Sequence, residues 1–304
     1  MTLRSLEGII PAVITPFGED ETIDYAAWQQ IIDALIASGV HGMLIAGGQG
    51  EFFSLTEEER LVALRFARQH AGGRVPIYGN VGSVTTRATI NLAQKAEAEG
   101  VEYLVVITPY YLRPNADELV EHYVQICRSV RVPVLAYNIP ERTGVDLPVS
   151  ATQRIAQVCE NFAGLKDSTG KLEDMPALVG IGQNRPFSVF IGRDHMILAG
   201  LKLGCAGAVT ACSNVAAPAF VRLYNAFRGG DIEEAARLQK LVEPLRQAFG
   251  WHTFPSVVKE AMKMSGLPAG PCRRPVGPMP EEVKGRLREV VEKLRLEDCL
   301  LRPV

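Results

Sequence analysis

The sequence predicts an α/β fold, a (β/α)8 TIM barrel with a C-terminal helical extension. Short β-like runs alternate with longer amphipathic segments along the first two thirds of the chain, and there are eight such runs. This alternation is typical of parallel barrels, in which a helix follows each strand. A doubly wound sheet alternates similarly, but it usually has about five or six strands and a GxGxxG turn after the first. The predicted strands cover residues 9–15, 42–46, 76–80, 103–108, 134–138, 163–166, 188–192 and 207–211.

Helical periodicity fills most of the gaps between these strands. Ile31, Ile32, Leu35 and Ile36 mark the apolar face of one helix, and Thr56-Glu57-Glu58-Glu59 is a start signal for another. After the eighth strand, further helices are predicted over residues 231–249, 256–264 and 281–296.

Three helices beyond a barrel indicate an extension packed on it, not clearly a second domain, and no linker separates them from the barrel. We expect residues 1–215 to form the (β/α)8 barrel. Residues 216–304 are expected to supply the last barrel helix and a C-terminal helical extension packed on the barrel, as a single structural unit.

Composition argues against nucleic acid and membrane partners. The 304 residues are 47% hydrophobic and 22% charged, with a mean hydropathy of +0.07 and a formal net charge of −2. This balance suits a globular protein and gives no electrostatic reason to bind nucleic acid or an anionic membrane. No apolar run reaches the length of a transmembrane helix. We therefore expect neither nucleic acid nor a membrane as a partner.

Cysteine and histidine spacing predicts neither a metal site nor a cofactor. The six cysteines show no CxxC pattern, so we expect free thiols in a reducing cytosol and a cytoplasmic location. The five histidines lack HxH or HExxH spacing, and the acidic residues form no visible metal cage. A Walker A loop and a GxSxG elbow are also missing from the sequence.

Lys166 is the first candidate for chemistry. It ends the short apolar run Phe162-Ala163-Gly164-Leu165 and precedes the turn formers Asp167-Ser168-Thr169-Gly170. The run predicts a buried strand, which would hold the amine at the inner rim of the core. A desolvated lysine loses its proton more easily and can attack a carbonyl to form a Schiff base. The alternative is a lysine that extends from a strand end into water.

Other candidates follow neighbouring strands, where barrel enzymes collect their functional residues. The turn Ala46-Gly47-Gly48-Gln49-Gly50-Glu51 exposes backbone N–H groups that suit an anion, or it is a plain tight turn. In Thr108-Pro109-Tyr110-Tyr111, one tyrosine can point into the barrel mouth or lie at a subunit contact. Tyr137 faces the mouth or is an ordinary core tyrosine. Arg142 can grip a carboxylate or remain a solvated loop residue.

With these motifs in place, the chain resembles the dihydrodipicolinate synthase/N-acetylneuraminate lyase family of class I Schiff-base barrels. The resemblance covers nearly the whole chain. It depends on the turn ending Gly50-Glu51, on Thr108-Pro109-Tyr110-Tyr111, on Tyr137-Asn138-Ile139-Pro140-Glu141-Arg142-Thr143-Gly144, and on Gly164-Leu165-Lys166-Asp167-Ser168-Thr169-Gly170. It implies a lyase that acts on pyruvate or another 2-oxo acid, without a cofactor, and a homotetramer built as a dimer of dimers.

The resemblance also implies roles for single residues. Lys166 resembles the Schiff-base lysine, Tyr137 the proton donor and acceptor, and Tyr111 the tyrosine that reaches across a dimer contact. The backbone around Gly48 and Gln49 would hold the 2-oxo acid carboxylate. Val209 would line the lysine pocket, and Arg142 would hold the carboxylate of aspartate semialdehyde.

One departure concerns the second turn, where the family usually has Gly-Thr-Thr-Gly-Glu or Gly-Ser-Thr-Gly-Glu. Here Gly48 lacks the hydroxyl that links the two tyrosines, and Gln49 offers an amide instead. The stretch from Gly47 to Leu55 also resembles the turn of keto-deoxy-glucarate dehydratases. We therefore expect a dihydrodipicolinate synthase-like lyase first, a 2-keto-3-deoxy sugar acid aldolase or dehydratase second, and a non-catalytic 2-oxo-acid-binding regulatory protein third.

Overall fold

Eight parallel strands form one sheet in the computed structural model, which describes residues 6–304. All eight lie where the sequence predicts them, and the predicted fold class is confirmed. Each is short and largely buried, as expected for parallel strands covered by helices. The strands are β1 Gly8–Pro11, β2 Met43–Ile45, β3 Ile77–Asn80, β4 Tyr103–Ile107, β5 Val134–Asn138, β6 Phe162–Asp167, β7 Ser188–Ile191 and β8 Gly207–Thr210.

The sheet closes into a barrel at the seam between β1 and β2. The ladder runs in the order β1-β8-β7-β6-β5-β4-β3-β2, and a parallel bridge joins Ala12 to Leu44 across the remaining gap. β1 is shorter than predicted because its ladder with β8 ends at Pro11: the Ala12 N–H still donates to the Thr210 carbonyl at 2.9 Å, but the Val13 N–H donates to the Leu44 carbonyl of β2 at 2.9 Å. The backbone N–H of Ile14 donates to Asn214 Oδ1 at 3.1 Å, and the Asn214 amide donates to the Ala12 carbonyl at 2.8 Å. Backbone bonds between Val13 and Leu44 and the Asn214 side chain together complete the seam.

Helices surround the barrel and begin with the expected signals. In the second helix, Thr56 and Glu59 form a reciprocal capping box, so that start signal is confirmed. The predicted apolar face of the first helix is also confirmed, with Ile31, Ile32 and Leu35 buried. The helices are α1 Tyr25–Ala37, α2 Glu57–Ala71, α3 Thr86–Ala98, α4 Ala116–Ser129, α5 Pro140–Thr143, α6 Val149–Val158, α7 Met175–Gly180, α8 Ile197–Lys202, α9 Ser213–Arg228, α10 Ile232–Ala248, α11 Ser256–Met264 and α12 Glu281–Leu296.

The last three helices form the C-terminal extension. α11 and α12 have the predicted bounds, and α10 is one residue shorter at each end than predicted. Leu238, Val258 and Leu287, one from each helix, belong to the same buried cluster as the barrel strands. The predicted division at residue 215 falls inside α9, beside Ala216, whose backbone departs from helical geometry. We propose that the barrel and the extension fold as a single structural unit.

Acid is expected to destabilise the fold through His122. This histidine on α4 is 5% exposed, its Nδ1 lies 2.9 Å from Thr86 Oγ1, and burial lowers its pKa to about 4. In the unfolded chain the pKa returns to about 6.5, so the unfolded state binds more protons between these values. The free energy of unfolding should therefore fall by about 3 kcal/mol as the pH drops from 6.5 to 4.

Urea unfolding across this pH range measures the effect. His122→Gln cannot take up the proton, so its free energy of unfolding should decline less steeply with acid, whatever its stability at neutral pH. Equal slopes for the two proteins would show that His122 is not the group responsible.

Candidate active site

Two neighbouring strands bring Lys166 and Tyr137 together. β5 and β6 pair in register, so that Tyr137 lies beside Lys166. The Lys166 side chain is in the barrel interior, where the residue is 5% exposed, and its Nζ lies 3.8 Å from the centroid of the Tyr137 ring. Within residues 6–304, no carboxylate forms an ion pair with this amine. The arrangement places an amine and a phenol in one enclosed space.

Both side chains line a cavity of about 460 Å³ at the carboxyl ends of the strands. This volume is in the range of small-molecule sites. Val209 lines the same cavity from β8, the strand that pairs with β7. The cavity therefore opens where barrel enzymes hold their substrates.

Hydrogen bonds after β6 fix the strand end that carries Lys166. Asp167 points away from the amine: its Oδ1 accepts from the Thr169 N–H at 2.9 Å and from the Thr169 hydroxyl at 2.6 Å. Burial raises the pKa of Asp167, and the bonds from Thr169 oppose that shift. Gly192 leaves room for this loop, since a Cβ there would meet Ser168 Oγ at 1.9 Å. The turn formers after Lys166 thus hold the strand end in place.

The glycine turn after β2 forms another wall of the cavity. Gly48 and Gln49 line it, and Gln49 Oε1 is buried with no hydrogen-bond partner in the described part of the chain. Gly50 is required at its position because a Cβ would lie 2.9 Å from the Val13 carbonyl oxygen. An unpaired amide oxygen is costly to bury, so it is available to a ligand.

A buried ion pair supports this turn from behind. Glu51 and Lys259 are 0% and 1% exposed, and Glu51 Oε1 lies 2.6 Å from Lys259 Nζ. The amine also donates to the Pro271 carbonyl at 2.7 Å, while Glu51 Oε2 accepts from the Arg273 N–H at 3.1 Å. Burial lowers the pKa of Lys259, and the Glu51 carboxylate opposes that shift. The C-terminal extension thereby anchors the turn of the second strand.

The adjacent tyrosines after β4 point in different directions. Tyr110 lines the cavity, with its ring 5.9 Å from that of Phe52. Tyr111 is 93% exposed and does not line the cavity of its own chain. Its φ of 73° is in the left-handed region, which is unusual for an aromatic residue and marks a constrained position.

Arginines lie at the cavity mouth. Arg142, on α5, has its guanidinium carbon 4.6 Å from the centroid of the Phe254 ring. Arg193 is committed to other groups: it donates to Glu141 Oε2 at 2.6 Å and to the Ser168 carbonyl at 2.7 Å. Arg246, on α10, also lines the cavity. Among the described residues, neither Arg142 nor Arg246 forms a close ion pair, although both help Arg193 to lower the pKa of Glu141, so both cations can receive an anionic group.

The sequence of this chain matches that of a known protein family. The sequence matches the profile described as the dihydrodipicolinate synthetase family over residues 5–294. The chain belongs to the dihydrodipicolinate synthetase family.

Relatives of this synthetase-family chain differ in their named activity. It is 33% identical over 283 residues to a 4-hydroxy-tetrahydrodipicolinate synthase of Oceanobacillus iheyensis, covering 93% of this chain and 95% of that protein. It is 36% identical over 289 residues to the probable 2-dehydro-3-deoxy-D-pentonate aldolase YjhH of Escherichia coli, covering 94% and 96%. YagE, an E. coli prophage protein of the dihydrodipicolinic acid synthase family solved with pyruvate, matches with a TM-score of 0.92 and 34% identity, covering 95% and 99%.

Most of the predicted site residues of this synthetase-family chain meet in one cavity. Its lining includes Lys166, Tyr137, Gly48, Gln49, Arg142 and Val209. Tyr111 is the predicted residue that the single chain leaves outside. Sequence reasoning did not find Phe254 or Arg246, because both lie in the extension, beyond the strand ends where functional residues of a barrel are sought.

The described part of the synthetase-family chain offers neither a metal-ligand cluster nor a membrane-spanning helix. Residues 6–304 contain no cluster of three or more histidine, cysteine or acidic side chains suited to a metal ion. Over the same part of the chain, no helix is both long and apolar enough to span a membrane.

Proposed function

We propose that this chain is a class I lyase that forms a Schiff base between Lys166 and pyruvate or another 2-oxo acid. The observation that carries the proposal is the buried Lys166 amine, which lies 3.8 Å from the Tyr137 ring centroid inside the cavity. A buried lysine without an ionic partner is suited to attack a ketone. No cofactor is required, because the lysine itself supplies the electrophilic imine.

In the proposed mechanism, the neutral Lys166 amine adds to the substrate ketone, and the resulting carbinolamine loses water to give a protonated imine. The imine accepts the electron pair of a neighbouring C–H bond, whose proton leaves, and an enamine forms. The enamine carbon then bonds to an aldehyde carbon, and water releases the product from Lys166. Tyr137 carries the protons in these steps. Cleavage of a hydroxy-oxo acid is the same sequence in reverse.

The substrate carboxylate would bind at the glycine turn. Gly48 and Gln49 line the cavity, so backbone N–H groups of the turn and the Gln49 side-chain NH2 would donate to the carboxylate, and the Glu51–Lys259 pair holds the turn from behind. Val209 would form the wall of the lysine pocket. Arg142 would orient an acidic group on the second substrate through paired hydrogen bonds.

For the second substrate, we propose aspartate semialdehyde, in a reaction like that of 4-hydroxy-tetrahydrodipicolinate synthase. Arg142 and the relatives that bear this name support the choice. A second candidate is a 2-keto-3-deoxy sugar acid, supported by Gly48 and Gln49 in place of the hydroxyl residues and by the relative YjhH. The two candidates share the Lys166 chemistry and differ in what Arg142 and Gln49 contact.

Borohydride reduction in the presence of pyruvate tests the shared chemistry. We expect intact mass to rise by one reduced pyruvyl group, and peptide mapping to place it on Lys166. A coupled assay then offers pyruvate with aspartate semialdehyde in one arm, and 2-dehydro-3-deoxy-D-pentonate in the other. An unchanged mass defeats the lyase proposal, and pyruvate binding without turnover in either arm would support a binding protein instead.

We also propose a homotetramer, a dimer of dimers, in which Tyr111 enters the site of a neighbouring chain. Its exposure and left-handed φ support a role in such a contact. We further propose a cytoplasmic location, which the free thiols of the six cysteines support.

Mixed oligomers test the role of Tyr111. Lys166→Ala and Tyr111→Phe chains should each be impaired alone, the latter by about 10²-fold or more if a proton-relay group is lost. After unfolding and refolding together, mixed dimers should regain activity, because the site with native Lys166 receives Tyr111 from the other chain. Sedimentation measures the assembly state in parallel. No regain in activity, or a monomer with full activity, would contradict the proposal.

A further inference from the structure

Phe254 occupies space that the glycine at position 48 leaves open. It lies on the segment between α10 and α11 and lines the cavity together with Gly48. A Cβ built on Gly48 would lie 3.6 Å from Phe254 Cζ, and no other atom beyond its chain neighbours comes within 4 Å of that position in the described structure. The ring is therefore the neighbour of any side chain placed at residue 48.

The same ring supports Arg142. The guanidinium carbon lies 4.6 Å from the ring centroid, within the range of a cation–π contact. Arg142 is otherwise exposed, and it has no ion pair among residues 6–304. A free arginine side chain samples many rotamers, and holding it in one arrangement costs conformational entropy. The aromatic face reduces this cost for Arg142 before a ligand arrives.

We propose that Phe254 is a specificity-determining residue that positions Arg142 for a carboxylate on the second substrate, and that Gly48 is the partner residue that gives its ring room. The proposal rests on the proposed lyase function and concerns recognition of the second substrate in the same cavity. Phe254 does not take part in the Schiff-base chemistry. It acts through Arg142, so its loss should weaken recognition of the acceptor and leave the reaction with pyruvate intact.

A pair of acceptors that differ in one group isolates this effect. Succinic semialdehyde and butanal have the same chain length, and only the former carries a carboxylate. We expect the natural chain to add the pyruvate enamine to succinic semialdehyde with a higher kcat/KM. In Phe254→Leu this preference should fall by about three- to tenfold, mainly through KM. Butanal turnover should stay unchanged, because butanal has no carboxylate for Arg142 to bind.

Two further variants separate positioning from general packing. Phe254→Trp keeps an aromatic face and should retain most of the preference. Trp251→Leu is the matched control, because Trp251 lies in the same segment and contacts Arg286 at 4.2 Å, outside the cavity lining. It removes an equivalent cation–π contact and should leave the preference as in the natural chain. A loss in Trp251→Leu equal to that in Phe254→Leu would overturn the proposal.

A double-mutant cycle tests the link to Gly48. The hydroxyl and methyl of a threonine extend about 1.5 Å beyond Cβ, so Gly48→Thr should crowd the ring and disturb Arg142. Gly48→Thr and Phe254→Leu should each reduce the preference, and the double variant should lose little more than either one. Fully additive losses would show that the two residues act independently.

Failure of this inference is distinguishable from failure of the lyase proposal. The natural chain, Phe254→Leu, Phe254→Trp and Trp251→Leu are also treated with pyruvate and borohydride, and each should carry the adduct on Lys166. If the natural chain forms no adduct, the lyase proposal fails. If the adduct forms but the natural chain shows no preference for succinic semialdehyde, or turns over neither aldehyde, the role of Phe254 is overturned.

Discussion

Lys166→Ala is expected to lose the borohydride-trapped pyruvate adduct and nearly all turnover. Removal of a covalent nucleophile lowers kcat by factors on the order of 10⁴ to 10⁶ in enzymes studied in this way. A decrease in kcat of the same order is expected here. Without the imine, no group in the site can accept the electron pair that the C–H bond leaves behind when its proton departs. The adduct is measured by intact mass, and turnover by pyruvate consumption at saturating acceptor.

The matched control is Lys166→Arg, which keeps a cation at the strand end but cannot form the imine. It should be as inactive as the alanine variant. Neither variant should lose much stability, because the Lys166 side chain lies beside a cavity and forms no ion pair among the residues described. Retention of the adduct in Lys166→Ala would mean that another amine reacts with pyruvate, and the proposed site would then be wrong.

Lys259→Met is expected to have the largest effect on stability. It leaves the fully buried Glu51 carboxylate without its cation, and breaking a buried ion pair from one side costs about 3–5 kcal/mol. The turn that carries Gly48 and Gln49 should loosen at the same time. We expect the KM for pyruvate to rise, since this turn is proposed to hold its carboxylate. Urea unfolding at fixed protein concentration and steady-state kinetics measure the two effects.

Two control variants make this prediction specific. Lys263→Met removes the cation of the more exposed pair that Lys263 forms with Glu260 on the same helix, which should cost no more than about 1 kcal/mol. Combining Lys259→Met with Glu51→Gln removes both buried charges and should restore part of the loss. If Lys259→Met costs no more than Lys263→Met, the buried pair does not stabilise the turn.

The strands and helices could be predicted because their signals are local. Short apolar runs bounded by turn formers mark the strands, and the capping box at Thr56 marks the start of α2. The end of β1 was predicted too far along the chain. Residues after Pro11 remain apolar and buried, as in a strand, but the Val13 N–H donates to Leu44 of β2 and the Ile14 N–H donates to Asn214, which lies in α9. The periodicity of apolar residues indicates burial, but it does not indicate which group a backbone N–H or carbonyl will bond to.

The site was partly predictable for a related reason. Lys166 and Tyr137 end adjacent strands, so barrel topology alone brings them together. Phe254 and Lys259 reach the site from the extension, and nothing in their local sequence distinguishes them from other helix or loop residues. Lys259 lies in an amphipathic helix where a lysine normally faces water. Only the three-dimensional packing shows that it meets Glu51.

Lys259 and Arg273 follow all eight strands in the sequence, so they are synthesised after the turn that they stabilise. The ribosome releases the second βα loop early, and the barrel strands emerge in order before the last helices. During that interval the Glu51 carboxylate has neither of these partners, so it must stay hydrated or take up a proton. A nascent chain can therefore complete its eight strands, yet the pocket for the oxo acid becomes rigid only after the segment that carries Lys259 and Arg273 has been synthesised.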